Sequence, residues 1–343
     1  MRGLRCALIL LAFFAGPARA AEADPDPHRS GAGAIEAADG HEPDIAVHKA
    51  NWVPTEYRPF RDIRWEHLDF CVLVLLLANG VRMVLRKSRM RWLFLQSLFS
   101  LFYLGFFRGG CLCPIGATAD VSRALVWPEQ VGRITLFLFL MPLVAALIAG
   151  RVFCGSVCPL GALQDVVHRG SRPRRVPPGL DRVLRVLPVL VLVATAWLAV
   201  RGGCLLVCRL DPFVTAFAYG EAAIRGLLSR GGIVFSEPVG VMVGDAAAWS
   251  FLCAALLLSM FVAFPFCRYV CPYGVLLGLF SLCAFRRRQM PSAECTRCTA
   301  CERSCPVQAI AVDREAGTAG LDHYACIQCG RCTEACKRDR GPA

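Results

Sequence analysis

Five apolar stretches, residues 68–85, 92–107, 134–149, 186–200 and 249–266, divide this chain, and arginines gather between them in short clusters. Hydrocarbon offers a backbone N–H or C=O no water to bond, so a segment crossing lipid has to satisfy every backbone bond internally, as a helix does. Several of the stretches fall short of the roughly 20 residues that span a bilayer, so flanking residues must complete the span or the bilayer must thin. Composition agrees. The chain is 56% hydrophobic and 19% charged, whereas soluble domains sit near a quarter charged.

The formal net charge of +12 would fit nucleic acid if the arginines formed a face, but they do not. Arg86, Lys87, Arg89 and Arg91 follow the first stretch. Arg169, Arg172, Arg174, Arg175, Arg182 and Arg185 follow the third, and Arg286, Arg287 and Arg288 follow the fifth. Between Arg201 and Asp245 four arginines face four acids. Basic loops stay cytoplasmic, so the charges predict a multi-pass protein of a bacterial inner membrane, N-terminus outside and C-terminus cytoplasmic. The partner they imply is membrane lipid and not nucleic acid.

Residues 1–20 read as a secretory signal peptide: Arg2 and Arg5 at the start, an apolar run from Ala7 to Gly16, and Ala18-Arg19-Ala20 as a cleavage site. An uncleaved first anchor is the other reading. Residues 21–67 form an extracytoplasmic lead-in, polar to about Ala50 and then aromatic at Trp52, Tyr57, Phe60 and Trp65. Its histidines, His28, His41 and His48, have no ligand spacing. Residues 68–288 form the transmembrane domain, and residues 289–343 a small cysteine-rich domain. A repeat runs through the membrane part: Arg108-Gly-Gly-Cys111 returns as Arg201-Gly-Gly-Cys204, and Phe153-Cys154 to Gly161 returns as Phe266-Cys267 to Gly274. The fold expected is an all-α membrane bundle of about five transmembrane helices in two related halves, with a C-terminal α+β bicluster ferredoxin domain.

Most of the 20 cysteines fall in tight runs, which is not how a disulfide framework is spaced. The strongest signal is Cys295-x2-Cys298-x2-Cys301-x3-Cys305-Pro306, followed by Cys326-x2-Cys329-x2-Cys332-x3-Cys336. Three close thiolates cap three corners of a cubane and a distant fourth closes it; in two-cluster ferredoxins that fourth comes from the other run. The expectation is two [4Fe–4S] clusters, one on Cys295, Cys298, Cys301 and Cys336 and one on Cys326, Cys329, Cys332 and Cys305. A pair of zinc knuckles is the competing reading.

Two further pairs, Cys154/Cys158 and Cys267/Cys271, both read Cys-x3-Cys-Pro at cytoplasmic ends of apolar stretches. That spacing puts both thiols on one helical face, with the proline starting or breaking a helix just beyond. Joined across the halves, they would make one four-thiolate redox site. The outer pairs, Cys111/Cys113 and Cys204/Cys208, would hold another cluster or be disulfides, so one or two clusters beyond the terminal two are expected in the membrane domain. Cys6, Cys71, Cys253 and Cys283 are unpaired in sequence; Cys6 belongs to the signal and the rest read as packing residues. Asp165 and Asp211 lie near cysteine pairs, as helix caps more readily than as proton relays. No nucleotide-binding glycine loop or hydrolase motif is present. The chain therefore reads as an electron carrier or oxidoreductase subunit rather than a stand-alone enzyme.

From Arg108-Gly-Gly-Cys111 through Gly150-Arg-Val-Phe-Cys154, Cys208-Arg-Leu-Asp-Pro-Phe213 and Cys271-Pro-Tyr-Gly274 to the terminal runs, residues 65–337 resemble the NosR/NirI-type iron–sulfur proteins and the related NapH-like polyferredoxins. The resemblance implies a conduit passing electrons between a cytoplasmic or quinol donor and an extracytoplasmic acceptor, a periplasmic reductase or flavoprotein. NosR proper carries a flavin on a threonine; Ser30-Gly-Ala-Gly33 has none, so no covalent flavin is expected. A metal-reducing maturation factor for cofactor assembly, or a redox-linked regulator, is the alternative function.

Overall fold

The computed structural model describes residues 63–86, 90–109, 113–127, 133–169, 175–201, 211–213, 215–217, 246–286, 297–313, 315 and 318–336. The signal peptide, the lead-in segment, Cys111, Cys204, Cys208 and Cys295 lie outside them.

The larger helical part opens with α1 (Ile63–Leu85) and α2 (Met90–Ser100), which continues as a π-helix (Leu101–Phe107). There follow α3 (Pro114–Ala124), α4 (Arg133–Ala149), α5 (Val152–Ser156) and α6 (Pro159–Arg169). Then come α7 (Pro178–Leu184), α8 (Leu187–Val200), α9 (Ala246–Phe261), α10 (Pro265–Tyr269) and α11 (Pro272–Leu282). Among the described residues three helical segments, His67–Leu85, Met90–Phe107 and Pro178–Val200, are long and apolar enough to cross a membrane. The expected stretches at 134–149 and 249–266 fall on shorter apolar helices, and Pro272–Leu282 is a further one that the five stretches leave out.

These helices turn apolar side chains outward. Leu75 is 68% exposed, Phe102 62% and Trp197 58%, a surface that suits acyl chains and would be a liability in water. The interior holds the polar groups: Asp69, Gln96, Ser100, Thr195 and Ser259 are all buried. Arg108 grips Asp69 with two nitrogens, Nε at 2.9 Å and Nη2 at 2.6 Å, while Tyr103 donates to the same carboxylate at 3.3 Å. An ion pair this deep holds only because both charges are hydrogen-bonded.

The packing is reciprocal. α4 lies on α11, and α9 lies on α6, so each long helix leading into a cysteine pair packs on the Cys-Pro helix of the other segment. Three of the Cys-Pro steps start an 11-residue helix, at Pro114, Pro159 and Pro272. Proline at the first helical position lacks only an N–H that would be orphaned anyway, and its ring drives the preceding residue into extended backbone. Cys113 (φ −65°, ψ 109°) and Cys271 (φ −64°, ψ 113°) obey that rule.

The terminal domain consists of α12 (Ala300–Ser304), a hairpin of β1 (Ile310–Asp313) and β2 (Thr318–Leu321), and α13 (Arg331–Ala335). The antiparallel register pairs Ile310 with Leu321 and Asp313 with Thr318. Its small core joins Cys301, Ile310 and Cys332, with Cys305, Val312 and Leu321 against them.

Candidate iron–sulfur sites

Each terminal cysteine run curls its backbone in the same way. Arg297 (φ 58°) and Thr299 (φ 55°) flank Cys298; Gln328 (φ 59°) and Gly330 (φ 79°) flank Cys329. Three of these four are not glycine, and left-handed backbone at such residues costs on the order of 1–3 kcal/mol. Alternation of that kind folds successive N–H groups toward a common centre, the nest geometry of phosphate and iron–sulfur sites. Two unrelated stretches holding the same strained turn around the middle cysteine point to a shared anionic occupant.

The fourth cysteine crosses over. Burial first, and then the neighbouring Cys329, Cys332 and Cys305 thiols, push Cys326 up to about 12, against a backbone N–H at Gln328 that favours its thiolate. Cys305 is raised by burial and then by Cys329. Cys305, from the first run, therefore stands among the three close cysteines of the second. In the first run Cys298 is exposed and Cys301 buried, and Cys336 is half-buried at the end of α13.

The inner pairs share one local structure. Cys154 sits in α5 and Cys267 in α10; Cys158 and Cys271 then open α6 and α11. The Phe153 carbonyl accepts from Val157 at 2.9 Å and Cys158 at 2.8 Å, and the Phe266 carbonyl accepts from Val270 and Cys271, both at 2.9 Å. A side chain on Gly161 would press on the Cys154 carbonyl at 2.7 Å, and one on Gly274 on the Cys267 carbonyl at 3.2 Å, so each Cys-Pro-x-Gly needs its glycine for closeness. The expectation that each pair shares one helical face is corrected here. The helix breaks between the two cysteines, because the following proline forces the second into extended backbone.

All four inner thiols lie within electrostatic reach of one another. Burial, then Cys154, raises Cys158; burial, then Cys158, raises Cys267. Cys271 is pushed up to about 12 by burial and by Cys154, opposed by the N–H groups of Gly274 and Tyr273. Such a group of thiols stays protonated unless a cation pays for the charge. Helix N-terminal N–H groups are already aimed at Cys158 and Cys271, and amide dipoles at a helix start favour thiolate.

Arg151 joins this site to the terminal domain. It is 6% exposed, with Nη2 3.9 Å from the Cys154 sulfur and Nη1 donating to the Tyr324 carbonyl at 3.1 Å. Its Nε, and that of Arg268, are buried without a partner. A cavity of about 20 Å³, room for roughly one water, opens between Arg151, Arg268, Cys267 and Tyr324. Unsatisfied cationic N–H groups beside four thiols suit an anionic cluster. Among the described residues no three His, Cys, Asp or Glu side chains close round a single point as one ion's ligands would. A cubane spreads its thiolates over separate irons, one at each corner.

At the other end, Cys113 accepts from the Gly116 N–H at 3.2 Å and donates to Asp211. Asp211 also accepts from the Phe213 N–H at 2.9 Å, as a helix cap does. Asp165 is held in ion pairs by Arg169 and Arg331. Two packing assignments change. Cys283 is disulfide-bonded. Cys71 and Cys253 are exposed on apolar helices rather than packed. Sequence reasoning gave Arg151 no role, although it sits inside the Gly150-Arg-Val-Phe-Cys154 motif; nothing distinguishes one buried arginine in a chain with so many.

Residues 132–177 and 246–290 match the family described as a 4Fe-4S binding domain, and residues 294–340 that described as a 4Fe-4S dicluster domain. The first family thus covers both inner cysteine pairs. The chain is similar to two proteins of Methanocaldococcus jannaschii with no function in their names, MJ0750 (34% identical over 105 residues, 30% of this chain and 41% of that one) and MJ0749 (32% over 107 residues, 31% and 41%). It is also similar to YccM of Escherichia coli K12, named for a proposed role in electron transport (33% over 81 residues, 24% and 22%). The chain spans less than half the length of each of these relatives. No solved structure matches. The chain carries 4Fe–4S ferredoxin-type domains, the last of them at its C-terminal end.

Proposed function

We propose that this protein is a membrane-bound electron carrier of the NosR/NirI and NapH-like kind, without the covalent flavin. Its five apolar stretches and two related halves form an inner-membrane bundle, N-terminus outside and the bicluster domain in the cytoplasm. Cys295, Cys298, Cys301 and Cys336 hold one [4Fe–4S] cluster, and Cys326, Cys329, Cys332 and Cys305 the other. Cys154, Cys158, Cys267 and Cys271 hold a third. Clusters of this type supply one-electron chemistry with little rearrangement. The chain's own residues hold the thiolates in place, neutralise them through Arg151 and exclude water from them. Electrons pass between a cytoplasmic or quinol donor and an extracytoplasmic acceptor such as a periplasmic reductase.

One observation carries this reading: four thiols from two similar segments, three of them buried and Cys154 half-buried, converge on the face where the terminal domain docks, with Arg151 touching both. The test is EPR on anaerobically purified full-length protein. Serine at Cys158 and serine at Cys271 should each abolish the same signal and leave the two terminal clusters intact. Loss of different signals, or of none, would refute the shared site.

A further inference from the structure

The terminal domain does not present its two cysteine runs equally to the membrane part. The second run is pressed against the inner pairs. A side chain on Gly155, the residue after Cys154, would overlap the Ile327 carbonyl, and the Cys329 nitrogen would lie 3.7 Å from it. Gly150 (φ 81°) meets the Gln328 amide nitrogen at 2.9 Å in the same sense, and Gly278 meets the Tyr324 ring. Ser281 donates to the His323 carbonyl at 2.8 Å. Ile327 and Gln328 are each 3% exposed. The first run is held to the helical part by Arg175, which donates to the Glu302 carboxylate at 3.0 Å and to its carbonyl, but its Cys298 end is open: Arg297 and Cys298 are exposed, as is Arg303, which donates to the Cys298 carbonyl at 3.1 Å.

We infer that the two runs have fixed and different places in the electron path. The second run (Cys326, Cys329, Cys332, with Cys305) is the inward one, and the Gly155–Ile327 contact is its junction with the inner thiolate site. The first run is the outward port, where a soluble one-electron carrier docks at the Cys298 end. One electron crosses the junction at a time; the group on one side is oxidised by one, the group on the other is reduced by one, and no bond or proton moves. Here backbone packs on backbone between the two cysteine systems, and only a residue without a side chain permits it. The inference rests on the reading of the inner pairs as a redox site, and it is tested separately from that reading.

Full-length protein purified anaerobically is reduced with dithionite, freed of excess reductant, treated with ferricyanide in small steps and followed by EPR, the signals having been assigned with Cys298→Ser and Cys329→Ser. The first-run signal should disappear before the second-run signal. Loss of the second-run signal first, or of both together, overturns the orientation. Hydrogen exchange then reads the junction without any cluster signal. Residues 324–329 should exchange at least about tenfold faster in Gly155→Val than in the unaltered protein, with residues 298–305 unchanged, because the clash opens that contact locally. Equal exchange in both would overturn it; Gly155→Ala gives the same comparison if the valine variant does not fold. If the membrane domain held no iron, the inner-site reading would fail, and these two measurements would still decide which run faces inward.

Discussion

Single residues do most of their work here by where a proline or a guanidinium places them. The second cysteine of each inner pair is extended because proline follows it, which frees its sulfur to meet the N–H groups at the mouth of the next helix. The Cys-Pro step carries this signal, but the Cys-x3-Cys spacing predicts one helical face and misses the break between the two cysteines. The x2-x2-x3 spacing predicts in addition that the fourth cysteine of each run crosses to the other, and Cys305 lies beside Cys326 and Cys329. Changing Cys305 to Ser should therefore damage the signal of the second run, and Cys336 to Ser that of the first; EPR in which each variant loses its own run's signal would contradict the crossing. Arg151 was not legible, because its role depends on a carbonyl at Tyr324, 173 residues away in sequence. Arg151→Gln removes one positive charge and one hydrogen bond from the Cys154 sulfur. It should lower the potential of the inner centre by an energy on the order of 2 kcal/mol, the worth of a hydrogen bond to a charged group. A redox titration with no shift would show that the guanidinium merely packs.

Helices were read well from apolar runs and less well at their ends. The stretches at 68–85 and 92–107 lie within helices that end at Leu85 and Phe107. The stretch at 186–200 gained a turn of helix from Pro178 onward, since Pro177-Pro178 starts a helix where charge alone reads as loop. The π-helix at Leu101–Phe107 had no sequence signal; within it a side chain on Gly105 would meet the Phe217 ring at 2.8 Å. The Asp69–Arg108 pair ties α1 to the end of that π-helix. Asp69→Ala should destabilise the bundle by about 3–5 kcal/mol, because a buried cation loses its main partner, whereas the double change Asp69→Leu with Arg108→Leu should recover most of it. Thermal unfolding in detergent measures both. Equal losses in the single and double variants would show that the pair's worth lies in its shape and not its charge.

For the molecule as a whole, composition pointed to helices apolar enough to cross a membrane, as three among the described residues are, and the repeated Cys-x3-Cys-Pro marked the inner pairs. Their convergence needed three dimensions, since residues 154–158 and 267–271 are far apart in sequence and come together through the reciprocal packing of α4 on α11 and α9 on α6. The orientation rests on arginine clusters alone. A reporter active only in the cytoplasm, fused after Ala343, should be active, and activity of a periplasm-specific reporter there would reverse the topology. The central claim is that the thiols gathered beneath the terminal domain bind a cluster of their own, making one continuous set of iron–sulfur sites. Iron and acid-labile sulfide counted on anaerobically purified full-length protein test it most directly. The account predicts about twelve irons per chain, four for each of three cubanes, falling to about eight when Cys154, Cys158, Cys267 and Cys271 are all serine. About eight in both proteins would contradict it.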